Sequence, residues 1–369
     1  MKYCTKCVQP DSRPDIYFNE KGICGACLWE EEKKKINWGE RQKELKKIAA
    51  WAKKEAKKRK TYDCVIGVSG GKDSTFQSLY ARDRLGLRPL LVNGEPEGRT
   101  EIGSKNIENL KQLGFDCVAL RPNPKVMKKL IKKDFYNFLN PVKVTEFSLW
   151  ASAFIIADKF NIPLIIQGEN AALTLGVSSK QEKTGNAFNV LQLNTLSTGW
   201  KRYLGNNVAE KDLFMFHFDL KSLIKKKTKA IWLQYYAKEW SQVGNAEFSK
   251  KHGLKIRKDS LRELGRIHKH SALDSDLNIV NQMFKYMKLG FGFATDEACY
   301  DIREGRLSRK EGFKLVKEYD GLCGEKYIKQ FCDYIDITVD EFWRVAESFR
   351  NRDLFKKVNG AWKLGSDYK

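Results

Sequence analysis

The stretch "CVIGVSGGKDSTFQSL", Cys64–Leu79, decides how this chain is read. Its first half is a short apolar run, the pattern of a strand buried on both faces. Its second half has helical periodicity that closes at Gly86. Between them lies Ser69-Gly70-Gly71-Lys72-Asp73-Ser74. Two glycines let backbone approach an anion closely. The helix that follows offers its free N–H groups and positive dipole end. Ser69 and Ser74 add hydroxyl donors, and Lys72 adds a point charge. Asp73 belongs beside a phosphate only as a ligand for Mg²⁺, which is held by carboxylates together with phosphate oxygens. The loop is not a Walker A loop, because Asp73 follows Gly71-Lys72 and no glycine stands five positions before Gly71. A dinucleotide G-x-G-x-x-G turn is absent as well.

Outward from this loop, strands and helices alternate. "RPLLVN", "FDCVALRP" and "IPLIIQG" read as strands, and "EIGSKNIENLKQLG" as a helix closed by Gly114. Further helices are expected around 125–139 and 147–160. Such alternation predicts a parallel sheet with helices on both faces and ligands at the strands' carboxyl ends. Residues 61–207 are therefore expected to form an α/β domain. Residues 33–60 read as a basic amphipathic helix with Leu45, Ile48, Ala49, Ala52 and Ala56 on one stripe. Packing on the next domain and RNA binding are both open to it. Residues 208–369 read as mainly helical, "TKAIWLQYYAKEW" included.

Residues 1–32 carry Cys4-x2-Cys7 and Cys24-x2-Cys27, sixteen residues apart. That spacing suits a closed tetrahedral Cys₄ zinc site of structural role. The segment between is too polar to build its own core, so metal would supply the folding energy. No run of apolar residues is long enough for a membrane span, and the first residues lack a signal-peptide pattern, so a cytoplasmic protein is expected. The net charge of +22 favours acidic partners, or is simply a well-solvated surface.

"SGGKDS" resembles the pyrophosphate loop of the PP-loop ATP pyrophosphatases. Together with "MKYCTKCVQPDSRPDIYFNEKGICGAC", "IPLIIQGEN" and "KLGFGFATDEACYDIREGRLSRKEGFKLVKEYDG", it makes the chain similar to the N-acetyl sugar amidotransferases of the WbpG/PseA type. The resemblance implies an ATP-dependent enzyme that forms AMP and pyrophosphate. It would convert an acetamido group of a bacterial surface-polysaccharide sugar into an acetamidino group through an adenylated imidate. It implies ATP and Mg²⁺ on Ser69, Gly70, Gly71, Lys72, Asp73 and Ser74, with Lys72 and Asp73 catalytic. Backbone near Val92 and Asn93 would meet adenine, and Gly168 would line the cleft. Glu169 and Asn170 are placed for metal or acceptor, or as a solvated carboxylate and a helix N-cap. "RIHKHSALDSDLN" holds Arg266, His270, Ser271 and Asp274 as acceptor candidates. Its plain alternative is a loop in which Asp276 caps the next helix. The chain lacks a glutaminase signature, so a HisH-type glutaminase partner is expected to supply ammonia. The acceptor is expected to be an acidic or nucleotide-linked acetamido sugar, and nucleic acid is not the expected partner. The alternative reading is a PP-loop tRNA thiolation enzyme.

Overall fold

The structure is a computed structural model that describes residues 1–177, 183–192, 199–205 and 207–365. Five parallel strands form its central sheet: β1 (Cys64–Gly67), β2 (Pro89–Gly94), β3 (Asp116–Leu120), β4 (Leu164–Gln167) and β5 (Lys229–Trp232). Their order is β3-β2-β1-β4-β5. Ile66 sits in register with Leu91 on one side and Ile166 on the other. Side chains alternate across the sheet, as the two-residue period of a strand requires. Val65, Val92, Ile165 and Trp232 enter the core on one face, and Ile66, Leu91, Ile166 and Ile231 the core on the other. The chain winds from β1 through β2 to β3 in one direction, and from β4 to β5 in the other. The reversal falls between β1 and β4, and it opens a crevice at their carboxyl ends.

The first helix, α1 (Gly25–Lys33), leaves the cysteine segment. The second, α2 (Trp38–Arg59), buries Leu45, Ala49, Ala52 and Ala56 on the Ile66 face of the sheet. Packing is therefore the use the structure gives this basic helix. On the same face lie α3 (Lys72–Leu79) and α4 (Glu101–Gln112), the latter capped by Thr100, which accepts from Gly103 N–H at 2.8 Å. On the opposite face lie α5 (Pro124–Phe138) and α6 (Lys143–Lys159). Helix α6 is apolar almost all round because it is sandwiched between the sheet and a layer that holds Phe188, Tyr203, Phe216 and Phe218.

Two expectations are corrected. The "TKAIWLQYYAKEW" segment is not one helix: Lys229–Trp232 pairs with β4 as the sheet's edge strand. The sheet thus reaches beyond residue 207. Ala230, Ile231 and Trp232 are all buried, and an apolar run this short has no period to separate strand from buried helix. Likewise, "DSTFQSLYARDRLG" is α-helical only to Leu79 and then widens into a π-type turn over Tyr80–Arg84.

The C-terminal helices close over α5. Phe135 meets Phe284, Phe331 and Phe342 at ring-centroid distances of 5.7, 5.2 and 5.8 Å. The chain then ends its described part in a hairpin, Phe355–Val358 with Ala361–Leu364, turned by Asn359 and Gly360 at φ of 51° and 79°. Positive φ at both turn positions is the two-residue type that matches strand twist.

Two outcomes follow from this packing. Phe135→Ala should cost about 3–5 kcal/mol of stability in urea unfolding, since it empties the centre of an aromatic cluster. Asp320 sets a pH dependence. It is buried, accepts from Thr295 N–H at 3.2 Å and from its hydroxyl at 2.5 Å, and burial pushes its carboxyl up to about 6. The unfolded chain releases that proton at lower pH, so this group's contribution to stability should fall as pH rises from about 4 to about 6. Asp320→Asn should flatten that part of the stability-pH curve, while a slope identical to wild type would contradict it.

Candidate active site

The glycine-rich loop leaves β1 at the crevice. Gly70 adopts φ +79°, and a Cβ there would come within 2.8 Å of the Gly103 carbonyl, so the loop lies tight against α4. Gly71 is the N-cap of α3, and no side chain caps the helix. The Ser74 and Thr75 hydroxyls instead donate back to the Gly71 carbonyl, each at 3.0 Å. The first-turn N–H groups of α3 thus face the crevice with the helix dipole behind them.

A chain of polar contacts crosses the crevice from this loop. Lys72 pairs with Asp73 and donates to Gln242 Oε1 at 2.7 Å. Gln242 Nε2 donates to Glu169 Oε2 at 2.6 Å. Asn245 Nδ2 donates to Asp73 Oδ1 at 2.8 Å. Gln242 and Asn245 stand three apart on the helix Gln242–Lys251, so one face of that helix braces both the lysine and the aspartate. Burial raises the Glu169 carboxyl to about 7, helped by the nearby charge of Asp73.

Ser69, Gly71, Lys72, Asp73 and Glu169 form one wall of a cavity of about 270 Å³. The opposite wall comes from the C-terminal half: Arg266, His270, Ser271, Asp274, Phe293 and Tyr300. A smaller cavity of about 130 Å³ lies on the other side of the loop, between Ser69, Ser74, Gly168, Gln77 and Trp150. Gly168 is needed there for room, since a Cβ would stand 2.9 Å from the Trp240 ring and 3.0 Å from Gln77 Oε1.

The acceptor candidates are assembled on that far wall, with particular partners. Arg266 is not an open cation: it pairs with Glu297 at 3.0 Å and lies over the Phe293 ring. Glu297 also accepts from the N–H groups of Ile267 and His268, at 2.9 and 3.0 Å. His268 pairs with Asp301 at 2.9 Å and stacks on His270 at 4.6 Å. Burial outweighs all else at His270 and, with the charges of His268 and Lys72, holds it down at about 2. It is a neutral imidazole at the cavity wall. Burial pushes the Asp274 carboxyl up.

Four candidates line neither cavity: Gly70, which is packed against α4, and the three that follow. Asn170 is a buried N-cap, accepting from Ala172 N–H at 2.9 Å, and lines neither cavity. Val92 is a core residue whose carbonyl accepts from Val68 N–H at 2.8 Å. Asn93 is buried at the end of β2, outside both cavities, and its Oδ1 has no partner. Asp276 does not cap the helix it precedes. Its carboxylate instead pairs with Arg257 at 2.8 Å, which pins the acceptor loop through a bond to the Ala272 carbonyl. Sequence reasoning missed Gln242, Asn245, Glu297 and Asp301. The acidic pair is four apart on the helix Phe293–Arg303, a same-face spacing that could have been noticed. The amide pair carried no comparable signal.

The four N-terminal cysteines converge. Their Sγ atoms all lie within 4.8 Å of one another, with Cys4–Cys27 at 3.9 Å and Cys7–Cys24 at 3.7 Å. Four sulfurs at ~2.3 Å from one zinc in a tetrahedron stand about 3.8 Å apart, so the donor set fits that ion. Backbone N–H groups of Cys24 and Lys6 point at Cys4 Sγ, at 3.2 and 3.4 Å. Arg309 Nε donates to the carbonyls of Cys4 and Cys7, each at 3.1 Å. The cluster packs on Ala298, Cys299 and Val316. Beyond it, Arg13 pairs with buried Asp296. The cysteine unit thus sits behind the helix that carries Glu297 and Tyr300. Elemental analysis of protein purified without chelator should give one zinc per chain. Cys24→Ser should lose it, with a lower melting temperature, and a metal-free wild type would refute the assignment.

Residues 264–369 match the family described as LPS biosynthesis protein WbpG-like, C-terminal domain. No curated protein matches the chain. Among solved structures, NMN synthetase from Francisella tularensis aligns at 14% identity with a TM-score of 0.30, covering 61% of this chain and 100% of that one. At that score the likeness bears on neither fold nor function. The far wall of the central cavity, from Arg266 to Tyr300, falls wholly within the matched segment. The chain therefore carries a WbpG-like C-terminal domain, joined to a parallel α/β domain with a glycine-rich loop at its switch point.

Proposed function

We propose that this chain is an ATP-dependent amidotransferase that turns the acetamido group of a surface-polysaccharide sugar into an acetamidino group. One observation carries the reading: the SGGKDS loop and the WbpG-like domain face each other across a single cavity. The loop resembles one that grips the diphosphate of ATP, and the domain it faces shares its family with proteins of lipopolysaccharide biosynthesis.

In this reading the N-terminal turn of α3, with Ser69 and Ser74, holds the β,γ-phosphates. Gly168, Gln77 and Trp150 line the adjoining cavity for the rest of the nucleotide. Asp73, with Glu169 across from it, would hold Mg²⁺, which supplies charge neutralisation at the phosphates. Lys72 leaves its pairing with Asp73 to meet the departing pyrophosphate. The acetamido oxygen attacks the α-phosphorus, the bond to the bridging oxygen of the β-phosphate breaks, and pyrophosphate leaves with that electron pair. Ammonia then adds to the imidate carbon, the carbon–oxygen bond to AMP breaks, and an acetamidine remains. An amide carbon is a poor electrophile, so the work of the site is positioning and charge stabilisation. On the far wall, neutral His270 with Ser271 and Asp274 offers donors and acceptors for sugar hydroxyls. Ammonia comes from a partner glutaminase of the HisH type. tRNA thiolation is the weaker reading. That chemistry calls for a sulfur-carrying cysteine, and among the described residues no cysteine lines either cavity.

Lys72→Ala and Asp73→Ala should each lower AMP formation on the order of 10²–10³-fold with nucleotide-linked acetamido sugars, ATP and ammonium chloride. Both should keep the wild-type circular dichroism. Full AMP output from both variants, or release of ADP and orthophosphate by wild type, would count against the proposal.

A further inference from the structure

The end of the molecule opposite the crevice gathers positive charge around exposed apolar side chains. Three segments meet there, just ahead of β1, β4 and β5. Arg59, in the last turn of α2, donates to the Lys226 carbonyl at 2.6 Å. The Thr61 hydroxyl donates to the Phe160 carbonyl at 2.8 Å. Lys226 follows the short helix Leu220–Lys225 and donates to the carbonyl and the carboxylate of Asp158, each at 2.7 Å. Lys159 lies 5.9 Å from the centre of the Phe214 ring. The chain enters these parallel strands from this end, whereas the crevice opens at their carboxyl ends.

Phe160, Phe214 and Ile224 are 46%, 58% and 62% exposed. Single exposed apolar side chains are ordinary, but these three stand on adjoining segments. Lys57, Lys60, Lys159, Lys221, Lys225 and Lys227 are exposed as well, and among the described residues they form no ion pair. The carboxylates on the same segments are mostly engaged. Glu55 pairs with Lys58 at 2.8 Å and Asp158 with Lys226 at 2.7 Å. Asp219 caps its helix, accepting from Ser222 N–H at 3.1 Å, and Asp212 accepts from Ala209 N–H at 2.9 Å. Glu210 is left exposed. The balance of free charge at this end is strongly positive.

We propose that this end of the molecule docks on the surface of an anionic lipid bilayer. The lysines meet lipid phosphates, and Phe160, Phe214 and Ile224 enter the boundary between headgroups and acyl chains. A second copy of the chain, docked face to face, would set the same lysines against one another, which like charge opposes. A nucleic acid would satisfy the lysines but leave Ile224 with nothing apolar to meet. Docking by this end turns the crevice toward the aqueous side, and the proposal goes beyond the reaction assigned to that crevice.

Cosedimentation of the full chain with lipid vesicles tests it. Binding to mixed phosphatidylcholine–phosphatidylglycerol vesicles should exceed binding to phosphatidylcholine alone by about 10-fold or more. Phe214→Ser with Ile224→Ser should weaken binding to the mixed vesicles on the order of 10-fold. Lys221→Glu with Lys225→Glu should do the same. Lys314→Glu with Lys317→Glu changes net charge equally, but on the helix Arg309–Tyr319 that packs on the cysteine unit, and should bind as wild type does. Failure of the wild type to bind the mixed vesicles overturns the proposal. Equal losses from the two lysine pairs overturn it too, since net charge alone would then be at work, as does full binding by the Phe214 and Ile224 double variant. If bulk tRNA strips the chain from vesicles and binds that double variant as tightly as wild type, the face serves nucleic acid instead.

Discussion

The Lys72 ammonium holds the two halves of the molecule in register. It stands at the first turn of α3, reaches Gln242 at 2.7 Å, and through that amide is tied to Glu169 at the end of β4. Without it, the carboxylates of Asp73 and Glu169 would share the crevice with only the neutral amides of Asn245 and Gln242 to meet them, and like charges so placed are costly. The burden is already visible in the raised carboxyl of Glu169. The cation makes the arrangement tolerable in the protein, and in the proposed function it is the group that turns toward an incoming phosphate. On that proposal, structure and chemistry lean on the same nitrogen.

Around that contact the molecule is layered. The sheet supplies the switch point, where backbone N–H groups can be aimed at an anion. The helix Gln242–Lys251 spans from the loop to the C-terminal helices. The cysteine unit then backs the helix Phe293–Arg303 from outside, through the core of Ala298 and Cys299 and the buried pair of Arg13 with Asp296. The four-cysteine cluster does not line the central cavity, but it supports the wall on which Glu297 fixes Arg266.

Much of this was legible in the residues. Ser69 to Ser74 announced a tight turn from strand to helix at the sheet's carboxyl edge because glycines and a helix start agree locally. The two Cys-x2-Cys pairs announced a four-sulfur site because ligand spacing is itself a local property. What was illegible depends on distant partners. Lys229–Trp232 becomes a strand only because β4 offers an edge. Gln242 and Asn245 look like ordinary helix residues until Lys72 and Asp73 arrive from 170 and 172 positions away. Arg266 reads as an open cation until Glu297 is seen to neutralise it, whereas the N-cap that Asn170 forms is local and was one of its two readings.

The pairing of Arg13 with Asp296 joins residues 283 positions apart. The cysteine unit is thus translated long before the residue that seats it. At synthesis rates of ~5–20 residues per second, the interval is roughly 15–60 s. Over that time a metal-bound tetrad would have to persist with its apolar back uncovered. Early capture of zinc would spare the thiols from cross-linking while the chain up to Asp296 is made.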